Sequence, residues 1–314
     1  MRILFLTICF LSLHCISHAQ QNSGNIFLFC YFKNNGQDGL HLAYSRDGYT
    51  FKALHKDSSF LQPTVSKDKL MRDPCIIRGA DGLFHMVWTV SWNAKGIGYA
   101  SSADLIHWSE QQYLPVMEQE DSARNAWAPE ITYDAANKEY MIYWATTIAG
   151  KYGATDRSVE NGYNHRIYYV TTKDFKSFST THLLYDKGFN VIDATIVPGN
   201  NRFIMFLKDE TLKPVPQKNI HIAMAAQLTG PYSDPSPAIT GHYWAEGPTA
   251  LRMDRLWIVF FDKYREHTYG AVSSTDLVNW IDISDRISLP KGIRHGSVFM
   301  ITAKEFEALR GSDE

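Results

Sequence analysis

The chain has 314 residues, 45% apolar, 20% charged and 13% aromatic, with 31 Lys and Arg against 33 Asp and Glu. That composition is too apolar and too evenly charged for a disordered chain, and the length suits one large domain or two ordinary ones. It lacks the basic excess with which a protein neutralises phosphates, so a nucleic-acid binder is disfavoured.

In chain order the first feature is a leader. Arg2 precedes an apolar run over 3–13, and Ser17-His18-Ala19 sets small residues at the −3 and −1 positions of a cleavage site. The run is well short of the ~20 residues that span a bilayer, so residues 1–19 are expected to be a removed signal peptide. The product would be periplasmic or secreted, with no membrane contact. Cleavage also removes Cys9 and Cys15. The remaining Cys30 and Cys75 lack metal-ligand spacing and read as buried small hydrophobes, with a single bridge between them left open.

Beyond the leader, short runs rich in β-branched and aromatic residues follow one another. They lie at 26–32, 40–44, 83–90, 97–100, 140–145, 167–171, 203–207, 220–225, 256–261 and 269–272, separated by Gly, Asn, Asp or Pro. This is the pattern of strands and turns. Only 303–310 carries a helical pattern. Residues 20–314 are therefore expected to form one all-β domain with no interdomain linker.

Two series recur along these runs. Ser45-Arg46-Asp47 leads to Phe51, Ser102-Ala103-Asp104 to Trp108, Thr172-Lys173-Asp174 to Phe178 and Ser274-Thr275-Asp276 to Trp280, with a degenerate copy ending at Tyr232. Each is a self-bonding turn followed by an aromatic suited to packing on a neighbouring unit. The second series places Asp73, Glu130, Asp193, Glu246 and His295 at the starts of short apolar strands, in steps of 57, 63, 53 and 49 residues. Repetition at that period with several strands per unit predicts a single five-bladed β-propeller. One clear strand remains after His295, while the N-terminal runs lack an inner strand. The N-terminal strands should therefore close the last blade and remove both open edges.

Innermost strands line the channel of a propeller, so Asp73, Glu130, Asp193, Glu246 and His295 are expected around one funnel. Like charges so close should drive at least one carboxyl toward its protonated form. Taken together, Arg72-Asp73-Pro74, Trp127-Ala128-Pro129-Glu130, Ile192-Asp193, Glu246-Gly247-Pro248 and His295-Gly296 resemble glycoside hydrolase family 43 over about the whole mature chain. The resemblance implies Asp73 as general base, Asp193 as the aspartate that tunes and orients the acid, and Glu246 as general acid, with no covalent intermediate. Glu246, between Trp244 and Pro248, is expected in an apolar setting that keeps its proton. Inversion of this kind needs roughly 6.5–9.5 Å between acid and base.

Substrate contacts are expected around these carboxylates. Asp38, in the turn 34–39, is a rival base ranked as a subsite residue. The connections 91–95, 146–165, 207–218 and 262–267 should overhang the funnel, bringing Trp92, Tyr152, Asn164, His165, Lys208, Lys213 and Tyr264 to a sugar. Trp127 and Trp244 read equally as sugar platforms or core, and Glu130, Arg294 and His295 complete the substrate-binding set. A central ion or water near His295 is conceivable on the resemblance, but no metal or cofactor requirement is expected. The leading function is an exported, monomeric, inverting exo-glycosidase acting on a carbohydrate. The resemblance favours a terminal α-L-arabinofuranose on a plant-type polysaccharide, with β-xylosidase or β-galactosidase and galactofuranosidase activity as alternatives. Two other readings stay open: a propeller phosphorylase using Arg72, Arg294 and Lys208 for phosphate, and a non-catalytic carbohydrate-binding propeller.

Overall fold

A computed structural model describes residues 25–311, so the expected leader at 1–19 lies outside the described residues. The strands form five antiparallel sheets. Blade I comprises Arg72–Arg78, Phe84–Thr89, Ile97–Ser102 and Gln112–Leu114. Blade II comprises Trp127–Asp134, Glu139–Thr147, His165–Thr172 and His182–Tyr185. Blade III has three strands, Val191–Gly199, Arg202–Asp209 and Asn219–Ala225. Blade IV comprises Glu246–Met253, Leu256–Lys263, Thr268–Ser274 and Ile281–Asp282. In blade V the inner strand is the C-terminal Ile293–Thr302, and Asn25–Lys33, His41–Ser45 and Lys52–Ala53 complete the sheet. The ring is a five-bladed propeller closed by its N-terminal strands.

The second strand of each blade explains the continuous apolar runs. Phe84–Thr89 is buried at every position because blades cover both of its faces. Phe84, Met86 and Trp88 join Leu28, Leu40 and Leu42 of blade V, whereas Val87 joins Ile131, Ile142 and Trp144 of blade II. Period-two alternation therefore separates two cores rather than core from solvent. Three further apolar clusters join blades II and III, III and IV, and IV and V.

The recurring turn fastens the outside of each blade. In blade I the Ser102 hydroxyl accepts the Leu105 N–H at 2.8 Å, and Asp104 accepts the N–H groups of Ile106 and His107. The aromatic that follows packs backward across the ring: Phe51 meets Phe260 of blade IV at 5.7 Å, and Trp280 meets Phe206 of blade III at 6.0 Å. Blade III, where the turn is degenerate, lacks the fourth strand. Its edge is covered by a Pro-rich segment whose Ser233, Ser236 and Thr240 hydroxyls accept the N–H groups of Met224, Ile222 and Ile220. Hydroxyl acceptors there shield an edge that would otherwise invite strand pairing. The helix Ala303–Gly311 packs Phe306 and Leu309 onto the cluster between blades V and I. Cys30 and Cys75 are both free and buried.

Candidate active site

All five inner strands begin with an irregularity. The pairing slips between Arg72 and Cys75, Trp127 and Glu130, Ile192 and Thr195, Glu246 and Thr249, and Arg294 and Ser297. At each of the first four slips one residue is left-handed: Asp73 at φ 51°, Ala128 at 46°, Asp193 at 51° and Gly247 at 56°. These are β-bulges, which bend a strand and re-aim its side chains. Asp tolerates the left-handed region better than most residues, though at some strain. Gly247 meets a second demand, because a Cβ there would collide with the imidazole of His295.

The bulges correct the alignment that spacing suggests. Asp73 and Asp193 match Ala128 and Gly247, while Glu246 stands one position earlier, matching Arg72, Trp127 and Ile192. Arg72 and Asp73, Trp127 and Ala128, Ile192 and Asp193, and Glu246 of the fourth pair line one cavity of about 320 Å³, together with Arg294 and His295. Glu130 lies two residues deeper. Its residue is 6% exposed, it is not among the cavity's lining residues, and its Oε2 accepts the Tyr143 hydroxyl at 3.1 Å. The expectation of a substrate contact at Glu130 therefore gives way to a buried polar position in the channel.

Asp73 is held from several directions. Thr89 Oγ1 accepts the Ala128 N–H at 2.8 Å and donates to Asp73 Oδ2 at 2.8 Å, while His295 Nδ1 lies 3.4 Å from Asp73 Oδ1. Burial alone would raise the Asp73 pKa, but the bond from His295 and the charges of His295 and Arg72 bring it down to about 2. His295 moves the other way. Burial opposes its charge, yet Asp193, Asp73 and Glu130 raise it to about 9. Asp193 is raised to about 6, chiefly by burial, with His295 and Lys208 opposing and Glu246 and Asp73 adding to the rise. Its Oδ2 accepts the Gly247 N–H at 3.1 Å, so it touches the residue next to Glu246. Glu130 is likewise raised to about 7 by burial. Desolvation, more than repulsion between like charges, is thus what lifts these carboxyls.

Glu246 does not sit in an apolar setting. Lys208 Nζ donates to its Oε2 at 3.1 Å and Arg294 Nη2 to its Oε1 at 3.3 Å. Both cations have further partners: Lys208 pairs with Glu210 at 2.6 Å, and Arg294 with Asp262 at 2.6 Å. Glu210 also pairs with Lys218. Lys208 and Lys218 are each about 1% exposed, so the lysines of this alternating row are buried in one wall while Glu246 and Arg294 reach the cavity partly exposed. The lysines must pair, since a lone buried charge costs several kcal/mol. Glu210, Lys218, Glu160 and Arg265 line the cavity and escape a reading of the sequence. A signal exists for the first: Lys208-Asp209-Glu210 places three charges where an apolar strand ends.

The remaining expected residues are divided. Trp92, Trp127 and Trp244 line the cavity, Trp244 with Arg265 at 4.1 Å and Lys218 at 5.4 Å from its ring. His165 lines an adjoining cavity. Asp38 lines neither; its carboxylate is 46% exposed and lies 3.0 Å from Nε2 of buried His41. The turn that carries it instead reaches the cavity wall through Asn35, whose Oδ1 accepts from Arg72 at 2.8 Å and from Trp92 Nε1 at 3.2 Å. Tyr152 and Asn164 brace Arg166 rather than line the cavity, and Lys213 is exposed outside it.

Comparison with known proteins follows the same outline. A family model described as a probable glycosyl hydrolase domain, Glyco_hydro_43_rel, matches residues 24–307. A thermostable family-43 glycoside hydrolase superposes with a TM-score of 0.55 at 16% identity, over 73% of this chain and 81% of that one. An α-L-arabinofuranosidase from Lactobacillus brevis does so with a TM-score of 0.53 at 18% identity, over 68% and 72%. A xylan β-1,4-xylosidase from Bacillus halodurans gives a TM-score of 0.52 at 17% identity, over 70% and 42%. At such identities the likeness is one of fold. No curated protein sequence matches the chain.

Proposed function

Because the chain belongs to the Glyco_hydro_43_rel family of probable glycosyl hydrolase domains, we propose that it is an exported glycoside hydrolase that releases a terminal sugar with inversion. The observation that carries this reading is the meeting of Asp73, Asp193 and Glu246, from three different blades, on one small cavity. Asp73 is the base. Held at about 2, it stays ionised at ordinary pH and can take a proton from a water attacking the anomeric carbon. Glu246 is the acid that protonates the leaving oxygen from the opposite side, and Lys208 and Arg294 fix both of its oxygens. Asp193 orients the acid by holding the backbone of Gly247.

The sugar favoured is α-L-arabinofuranose, with xylose and galactose as rivals. A member of the first class and a member of the second share the fold. The test is a panel of nitrophenyl glycosides with arabinan, xylan and galactan oligomers, assayed with and without phosphate. Free sugar of inverted configuration, formed without phosphate and reduced at least about 1000-fold in both Asp73→Asn and Glu246→Gln, is the expected result. Asp38→Asn should keep activity. A phosphate requirement would replace hydrolysis by phosphorolysis, and binding without turnover would make the propeller a lectin-like module.

A further inference from the structure

A second cavity of about 410 Å³ adjoins the carboxylates. It shares Trp92, Trp127, Glu160, Ile192 and Glu210 with the first, so the two form one cleft running from blades IV and V toward blade II. Four rings line it, beside Asn93, Asn161, Asn190, Glu160, Glu210 and Ile192. Trp92 and Trp127 meet edge to face at 5.5 Å, and Trp127 lies 4.7 Å from Tyr163 and 5.0 Å from His165. The Tyr163 and His165 rings are parallel within 4°. The assembly is braced: Trp127 Nε1 donates to the Trp92 carbonyl at 3.0 Å, and Arg124 stacks on Tyr163 while donating to the Gly162 carbonyl. The 3-10 turn Gly153–Ser158 is tied to blade III through the Leu212 N–H on the Ser158 carbonyl.

One polar atom in this setting is unsatisfied. His165 is 1% exposed and its Nε2 has no hydrogen-bond partner. The other nitrogen fixes what Nε2 is. Asn190 Nδ2 donates to the Tyr163 carbonyl at 2.9 Å, so Asn190 Oδ1 faces His165, accepting its backbone N–H at 2.7 Å and facing Nδ1 at 3.3 Å. Nδ1 therefore carries the proton and Nε2 is an acceptor. Burial lowers the imidazole pKa to about 4, which keeps the ring neutral at ordinary pH. A buried acceptor left unpaired is costly, and the group that completes it must be a donor.

We propose that this second cavity is a sugar subsite, in which the ring next to the one at the carboxylates packs on Trp92, Trp127 and Tyr163 and donates a hydroxyl hydrogen bond to His165 Nε2. The ligand class is a neutral oligosaccharide of at least two units. Aromatic faces suit sugar C–H groups, and Nε2 selects a hydroxyl over an ether or acyl group at one ring position. This inference rests on the proposed glycosidase reading for its choice of ligand, but it is tested by binding and not by turnover.

The experiment titrates the Glu246→Gln protein by calorimetry with xylose, arabinose and galactose, then with xylobiose, α-1,5-arabinobiose and β-1,3-galactobiose. At least one disaccharide should bind about tenfold or more tightly than its monosaccharide. Adding His165→Phe, which keeps a stacked ring and loses the acceptor, should reduce that gain to about threefold or less, with the fold checked by circular dichroism. Adding Trp92→Ala should reduce it in the same way. Absence of a disaccharide gain in all three pairs, or a gain that survives His165→Phe, overturns the subsite. Failure of the wild type to hydrolyse any glycoside would overturn the proposed function while leaving this measurement intact.

Discussion

His295 concentrates the electrostatics of the cavity in one side chain. Surrounded by Asp193, Asp73 and Glu130, it is raised from 6.5 to about 9 and is a buried imidazolium at neutral pH. The sign of its contribution follows from that direction. Its stabilisation is complete below about pH 6.5 and is lost as pH rises through 9, with a magnitude on the order of 3 kcal/mol. Loss of the proton also removes the cation facing Asp73 and Asp193. The expected outcome is a fall in melting temperature between about pH 7 and 9.5, absent from His295→Gln, which should start lower and stay flat. Parallel pH profiles for the two proteins would remove His295 from this role.

At the scale of the element, the Ser/Thr-x-Asp turn does for the outside of a blade what the bulge does for its inside. Ser102 is buried, its hydroxyl accepting from Leu105 at 2.8 Å and donating to the His107 carbonyl at 2.8 Å. Ser102→Ala would leave both groups without their partner, and a destabilisation of about 1–2 kcal/mol is expected, read as a lower urea midpoint at unchanged slope. These turns are legible in the sequence because every hydrogen bond in them is made within five residues. The bulges are not. Asp73 and Asp193 stand at the strand starts as spacing suggests, but nothing local says that Ala128 and Gly247, rather than Glu130 and Glu246, share their backbone position. Glu130 stands two residues beyond Ala128, where the regular pairing resumes, and so lies deeper in the channel instead of at the cavity.

The whole molecule depends on closure. Each apolar cluster is built by two consecutive blades, so the two blades flanking any open seam leave a face uncovered until the ring is complete. Asn25–Lys33 pairs on one side with Ile293–Thr302 and on the other with His41–Ser45, joining the two ends of the chain in one sheet. Deleting Asn25–Lys33 would expose the edge of the last inner strand and uncover apolar faces on blades I and IV. Aggregation in size-exclusion chromatography and loss of a cooperative thermal transition are expected. A folded monomer with a single transition would show that the ring tolerates an open seam.

The sequence alone determined the strand runs, their fivefold repetition, the closure of the last blade by its first strands, and the placement of Asp73, Asp193 and Glu246 at strand heads. Hydrophobic periodicity and turn chemistry are short-range, and they repeat once per blade. Tertiary structure alone decided the company those heads keep. Lys208 and Arg294 reach Glu246 from other blades, and Asn190 fixes the tautomer of His165 across a blade boundary. Such pairings depend on distances between residues tens of positions apart, which no local pattern encodes until the ring has closed.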